Sequence, residues 1–398
     1  MDKRVYLLTI VSFVVGLVEL ILGGILDLVA VDLEVSLGKV GMLISIFSLV
    51  FAIFGPILLT ATAKVERKKL TLISLLIFFL ANLLAIFSTG YFMLMIARII
   101  SAMSGSLLIA LCVTIASNIV LKQYRARAIG IVFMGISASL VLGVPIGLML
   151  GNAFGWRAPF LMITILTAIS FIGIYFFMER MNPKPSISLK EQLKTLKNGK
   201  LLLIQLTSFL FLAGHLTLYA YLTPFLQMTM GLDGTWISLM YLIFGIAAII
   251  GGGVGGMLSD RFGPQKTIIG IIIVFALSLF TIPYTTSVLP LFLLVMMAWS
   301  MLSWAITPAI QSYLIASAPE TSDIQQSLNN SALHFGIAFG SMIGGVVIER
   351  ATVEMNATVG GVLVLVSLLI ISLTMKAKKQ NAVSGDFTSE AMKEYKAN

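Results

Sequence analysis

Twelve long apolar runs, separated by polar breaks, limit what this 398-residue chain can fold into. They span 5–27, 38–60, 69–88, 91–118, 128–150 and 157–178, then 201–228, 236–258, 267–286, 289–316, 328–349 and 356–375. Each holds about 20 residues or more, the length at which an α-helix crosses the hydrocarbon core of a bilayer. Hydrophobic residues make up 59% of the chain and charged ones only 11%, too apolar for a water-soluble protein of this size. The expected fold class is an all-α polytopic membrane protein with twelve transmembrane helices. The first run is too long for a signal-peptide core and no small-residue cleavage site follows it, so it is expected to stay in the membrane. The single cysteine, Cys112, lies in an apolar run and excludes an internal disulfide.

The formal charge of +9 reads as topology and not as nucleic-acid binding. With the N-terminus inside, Lys3, Arg4, Lys64, Arg67, Lys68, Lys69, Lys122, Arg125 and Arg127 are cytoplasmic, and the outer loops hold only Lys39, Arg157 and Arg350. That asymmetry follows the positive-inside rule and sets both termini in the cytoplasm. The stretch 179–200, with two prolines and a basic bias, reads as a cytoplasmic linker whose Ser188–Lys197 part forms a surface helix. It divides a first half (1–178) from a second (201–375), before a frayed polar tail (376–398). The halves repeat: Ala63 aligns with Asp260 and Gly143 with Gly340 at a shift of 197, and Glu19 with His215 at 196.

One loop is specific. Gly252 to Lys266 reads GGVGGMLSDRFGPQK, and it resembles the G-x-L-x-D-R-x-G-x-x-K loop of the major facilitator superfamily. Gly143-Val144-Pro145-Ile146-Gly147, Arg98 and Gly155-Trp156-Arg157 resemble features of that superfamily's proton-driven efflux branch. VGLVELILGGIL, YRARAIGIVFMG, AGHLTLYAYLTPF, LSWAITPAIQSYLI and SDIQQSLNNSAL together look like the bacterial purine-base and nucleoside efflux pumps. The resemblance covers nearly the whole chain apart from the tail. It implies two pseudo-symmetric six-helix halves with a substrate site between them near the midplane. It also implies proton antiport across a bacterial cytoplasmic membrane, a purine base or nucleoside as small-molecule partner, and a monomer. Gly256, Asp260, Arg261 and Gly263 would gate the cytoplasmic side, with Gly143, Pro145 and Gly147 in the fifth helix. The first-half loop departs from the pattern, with Ala63 for Asp and Glu66 for Gly, so such a gate would rest mainly on Asp260.

Charge inside a membrane is expensive and calls for a reason. Glu19 lies inside the first run, and reversible protonation in a coupling step is the functional reading. A structural bond to Arg98 or to a carbonyl is the plain one. Arg98 is the expected partner of Glu19, while Asp27 reads as a solvated outer helix end. The only two histidines, His215 and His334, lie in predicted helices, and imidazole can carry a proton or bond a base nitrogen. His215 is therefore a candidate for proton coupling as well as for substrate.

A nucleobase needs a flat apolar contact and a few edge hydrogen bonds. Trp304, Thr307 and Gln311 share a face of the tenth run, His215 and Tyr219 lie one turn apart on the seventh, and Asn330 and His334 one turn apart on the eleventh. Trp299 and Tyr313 are read as packing. Pro145, Pro224 and Pro308 are expected to interrupt helices. Glycine stripes at Gly143, Gly147 and Gly151 and at Gly336, Gly340 and Gly344 suit close packing and sliding between halves. No metal-ligand cluster, nucleotide loop or Ser-His-Asp set is found, so neither an enzyme, a metal nor any cofactor beyond the proton gradient is expected. A multidrug or sugar efflux antiporter stays open as an alternative, and so, more distantly, does a receptor built on the same fold.

Overall fold

The structure, a computed structural model, describes residues 2–121, 124–182 and 189–374. Lys122, the proline-bearing part of the linker with Ser188, and the tail from Lys376 lie outside these residues. Among the described residues there is no strand. Twelve helices are long and apolar enough to span a bilayer: α1 Lys3–Gly24, α2 Leu37–Ala61, α3 Arg67–Ile86, α4 Tyr91–Asn118, α5 Arg127–Phe154, α6 Arg157–Phe177, α7 Gly199–Tyr219, α8 Gly234–Phe262, α9 Pro264–Thr285, α10 Leu289–Ser317, α11 Pro319–Arg350 and α12 Met355–Thr374. Side-chain caps set several starts: Ser36 for α2, Glu66 for α3, Asn198 for α7 and Asp233 for α8 each accept a first-turn N–H.

α11 begins earlier than its apolar run predicts. Its first turns are polar, but Gln325 and Asn329 are buried and their amides are paired: Asn329 donates to Gln205 Oε1 (2.9 Å) and Ser208 Oγ (2.8 Å), and Gln325 donates to Thr195 Oγ1 (2.8 Å). Satisfied amides can be buried at little cost. Residues Leu189–Lys194 form the expected short linker helix, and Thr195 joins it to α11.

The two six-helix sets are assembled alike. A Cβ at Gly147 would meet Ile21 and one at Gly143 would meet Leu17, so α5 lies close on α1. A Cβ at Gly336, Gly340 or Gly344 would strike the carbonyls of Phe209, Ala213 or Thr217, so α11 lies close on α7. The glycine stripes therefore pack helices within each set instead of providing a sliding surface between sets. Pro145 follows a π-helical turn at Ser139–Gly143, as expected where proline removes a donor. Pro308, by contrast, sits inside an unbroken α10, correcting the expected interruption.

Two further breaks meet at the ends of the helices far from the N-terminus. α1 stops at Gly24, turns at Ile25 and resumes as Leu26–Asp32. α7 stops at Tyr219 and resumes as Leu222–Met230, which carries Pro224 at its third residue. The break in α1 frees the carbonyls of Gly23 and Gly24, and hydroxyls of the second set occupy them. Thr223 Oγ1 donates to Gly24 O at 3.0 Å and lies 3.2 Å from Gly23 O, while Tyr241 Oη reaches Gly23 O at 3.3 Å. Gln227 Nε2 donates to Asp27 Oδ2 at 2.7 Å, so Asp27 is part of an inter-set contact and not a solvated helix end. Ser36 bonds Glu349, and Tyr221, pressed against Gly41, donates to Ser341 O at 2.9 Å.

Together these contacts seal the distal side. Among the described residues, the only inter-set hydrogen bond away from it joins Ser331 Oγ to Ala52 O at 3.1 Å.

Candidate functional site

Below the distal seal, Glu19 of α1 faces His334 of α11. Glu19 Oε1 lies 3.2 Å from His334 Nε2, with side chains 13% and 11% exposed. The contact is at ion-pair distance without the alignment of a hydrogen bond. His334 is held from two sides: its Nδ1 lies 2.9 Å from Asn330 O, and Phe51 of α2 stacks on the ring at 4.3 Å and 10°.

Arg98 is fully buried on α4, donates to Val18 O at 2.6 Å and lies 4.1 Å over the Phe47 ring. It therefore grips the backbone one residue before Glu19 and makes no ion pair with its carboxylate among the described residues. The expected Glu19–Arg98 pair is replaced by Glu19–His334. The repeat had aligned Glu19 with His215, a relation of depth that carried no information about contact.

His215 and Tyr219 do come together, inside the second set. Their rings stack at 5.2 Å and 21°. Trp299 lies 5.4 Å from His215 and 6.4 Å from Tyr219, with Phe244 and Phe275 completing the cluster. Trp299, read from sequence as packing, closes this group, and the ring contacts do not include Trp304. Spacing on α10 favoured Trp304, Thr307 and Gln311 because they share a face, but that face is half-exposed and continues the exposed Leu294 and Met297.

Asn330 is exposed on the His334 face, where it contributes its carbonyl, whereas its neighbour Asn329 is the buried amide. Adjacent asparagines cannot be told apart by type alone, and only burial separates them.

In the last turn of α8, Asp260 and Arg261 are exposed, and among the described residues neither forms an ion pair. Arg261 instead lies 5.2 Å from the Phe262 ring. Close helix approach in this part of α8 occurs at Gly251 and Gly255, where a Cβ would collide with the carbonyls of Met301 and Ala305. A Cβ at Gly256 meets nothing. Gly263 ends α8 at φ 81°, a conformation open to glycine at little cost.

In the matching first-set loop, Glu66 accepts from the backbone N–H of Lys68 (2.7 Å), Lys69 (2.9 Å) and Met181 (2.8 Å). Burial works against its charge, but these three donors, Met181 foremost, hold the carboxyl below the ordinary range. The side chain that departs from the loop pattern is thus a helix cap that also ties down the start of the linker.

Among the described residues, no group of three or more His, Cys, Asp or Glu side chains is placed to hold a metal ion. Comparison with known proteins supplies the class. The family profile described as Major Facilitator Superfamily matches residues 8–341 and 237–394. The uncharacterized MFS-type transporter YbcL of Bacillus subtilis (strain 168) is 34% identical over 380 residues, covering 96% of this chain and 97% of that protein. A "Probable sugar efflux transporter" of Mannheimia succiniciproducens is 25% identical, with 92% of each chain covered.

Among solved structures, an inward-facing bacterial homologue of the lysosomal transporter Spinster aligns with TM-score 0.73 at 13% identity, covering 94% and 98% of the two chains. The nucleoside transporter NupG aligns with TM-score 0.70 at 16% identity, covering 94% and 100%. These two show a shared fold alone. The chain belongs to the Major Facilitator Superfamily and is a multi-pass membrane transporter, not an enzyme.

Proposed function

We propose that the protein exports purine bases or nucleosides across the bacterial cytoplasmic membrane in exchange for protons, by alternating access. The observation that carries the reading is the Glu19–His334 pair. An acid and an imidazole in contact within membrane-length helices can share a proton. Because they belong to different six-helix sets, gain or loss of that proton alters what holds the sets together. Arg98, bonded beside Glu19, steadies the acid's position.

The substrate half rests on the aromatic and amide groups of the second set: His215, Tyr219, Trp304, Thr307, Gln311, Asn330 and His334. The basic loops put both termini in the cytoplasm, so the distal seal faces outward and the described state accepts substrate from inside. Parting of the seal releases substrate outside. A proton then enters at Glu19 and His334, and the return step delivers it to the cytoplasm, while the Asp260 loop helps close the inner side. Net coupling requires that substrate and proton each favour a different state. The relative named as a sugar efflux transporter supports a second reading, export of sugars or drugs by the same cycle.

Efflux from loaded proteoliposomes tests the proposal, with labelled hypoxanthine, adenine, adenosine, a sugar and a cationic dye. An inward proton gradient should speed purine loss, and an ionophore should abolish the gain. Purine loss indifferent to the gradient would remove the antiport, and movement of dye or sugar alone would remove the purine.

A further inference from the structure

The ring cluster around His215 holds an imbalance that packing does not explain. His215, Tyr219, Phe244, Phe275 and Trp299 are all buried, none more than 6% exposed. Yet His215 Nδ1, Tyr219 Oη and Trp299 Nε1 have no hydrogen-bond partner among the described residues. Nearby hydroxyls behave otherwise: Thr217 donates to Ala213 O, Ser303 to Ser300 O, and Ser300 to Phe244 O. Buried polar atoms left unpaired are costly, and three in one cluster ask for a common partner.

Resting on the transport reading above, we infer that this cluster is the closed form of a recognition box for a free purine base, with Trp299 as a specificity-determining residue. The rings lie 5.0–6.4 Å apart and offer flat faces on several sides. The indole N–H only donates, the phenol both donates and accepts, and the imidazole nitrogen does either according to tautomer. That set matches a heterocycle edge with an acceptor beside a donor, as adenine presents at N7 and its exocyclic amine, and its two donors also suit the paired N7 and O6 acceptors of an oxopurine.

The remaining walls, Phe244 and Phe275, carry nothing to bond ribose hydroxyls. A nucleoside would bury those groups unpaired, and the box therefore favours the base. The break in α7 directly after Tyr219 gives that wall a hinge. Tyr241, edge-on to Tyr219 at 6.1 Å and 75°, also bonds Gly23 O in the distal seal, so displacing Tyr219 presses on the seal.

The test is equilibrium binding of labelled adenine to purified full-length protein, with adenosine as competitor, alongside proton-driven adenine efflux. Trp299→Phe keeps the ring and removes the donor, and Tyr219→Phe is a second, near-isosteric variant. Both are checked for a wild-type melting profile. The box predicts at least tenfold weaker adenine binding in each, a raised KM with kcat largely retained, and adenosine a poorer competitor than adenine in the wild type. If both variants bind adenine like the wild type while efflux persists, the box falls and the export proposal stands. Adenosine competing as well as adenine also overturns the preference for the base. If the wild-type protein neither binds nor moves adenine the box falls, and the export proposal falls with it only if hypoxanthine and adenosine are not moved either.

Discussion

Glu19 and His334 stand 3.2 Å apart although 315 positions separate them in the chain, and they join the first six helices to the second. The contact lies just below the point where α1 breaks and hands the carbonyls of Gly23 and Gly24 to Thr223 and Tyr241. A titratable pair and a hydrogen-bonded seal thus act on the same two helix sets within a few turns of each other.

Removing one partner of the pair should uncouple transport without unfolding the protein. Glu19→Gln and His334→Gln are each expected to abolish the rise in purine efflux under a proton gradient, while gradient-independent exchange survives. The double variant should be no worse than either single one, because the two side chains act as a unit. Additive losses in exchange assays would contradict a shared role.

Weakening the seal should favour the distal-open state. Thr223→Val with Tyr241→Phe removes bonds worth about 1 kcal/mol each, roughly a thirtyfold shift in population for the pair. Gly41→Val acts in the same direction by steric means, since a side chain there collides with Tyr221. Spin labels at Lys39 and Thr352, in a Cys112→Ser background, should report longer distances in both variants. An unchanged distribution would show that the seal does not hold the closed state.

The C-terminal part of α8 makes a contrast between neighbours. Gly255→Ala drives a methyl into the Ala305 carbonyl and should lower stability by about 1–3 kcal/mol. Gly256→Ala meets open space and should be nearly silent. Thermal unfolding in detergent separates the two, and equal effects would contradict the packing described.

Glu66 predicts a pH dependence. Its folded carboxyl titrates below the ordinary range, so its contribution is fully present at neutral pH and drains away as pH falls through that lowered value. Glu66→Ala, which loses a helix cap, should cost about 1–2 kcal/mol at pH 7. The gap between variant and wild type should narrow on strong acidification. A gap independent of pH would mean that the charge contributes nothing.

Much of the architecture was legible in the sequence because hydropathy reports span length directly. The break after Tyr219 falls close before Pro224, which was expected to interrupt that helix. The break at Ile25 was not legible, since apolar residues continue through it and the cause is partly a set of hydroxyl partners on the other helix set. The early start of α11 was hidden for the opposite reason: Gln325 and Asn329 look solvated until their amide partners are known. At the candidate site, side-chain chemistry singled out Glu19, His215 and His334 as groups whose place inside a membrane helix calls for a reason, and the structure finds all three buried or nearly so. Pairing was another matter, because it depends on how α1, α2 and α11 converge. Trp299, read as packing, is fully buried, but helical spacing does not say which face looks inward and so did not place its ring against His215 and Tyr219.

The most direct measurement follows lumenal pH in proteoliposomes when hypoxanthine is added outside. Antiport predicts that hypoxanthine entry drives protons out, so the lumen of wild-type vesicles becomes alkaline, and that Glu19→Gln vesicles take up hypoxanthine without any pH change. Hypoxanthine uptake with no pH change in the wild type, or an undiminished change in the variant, would contradict the account.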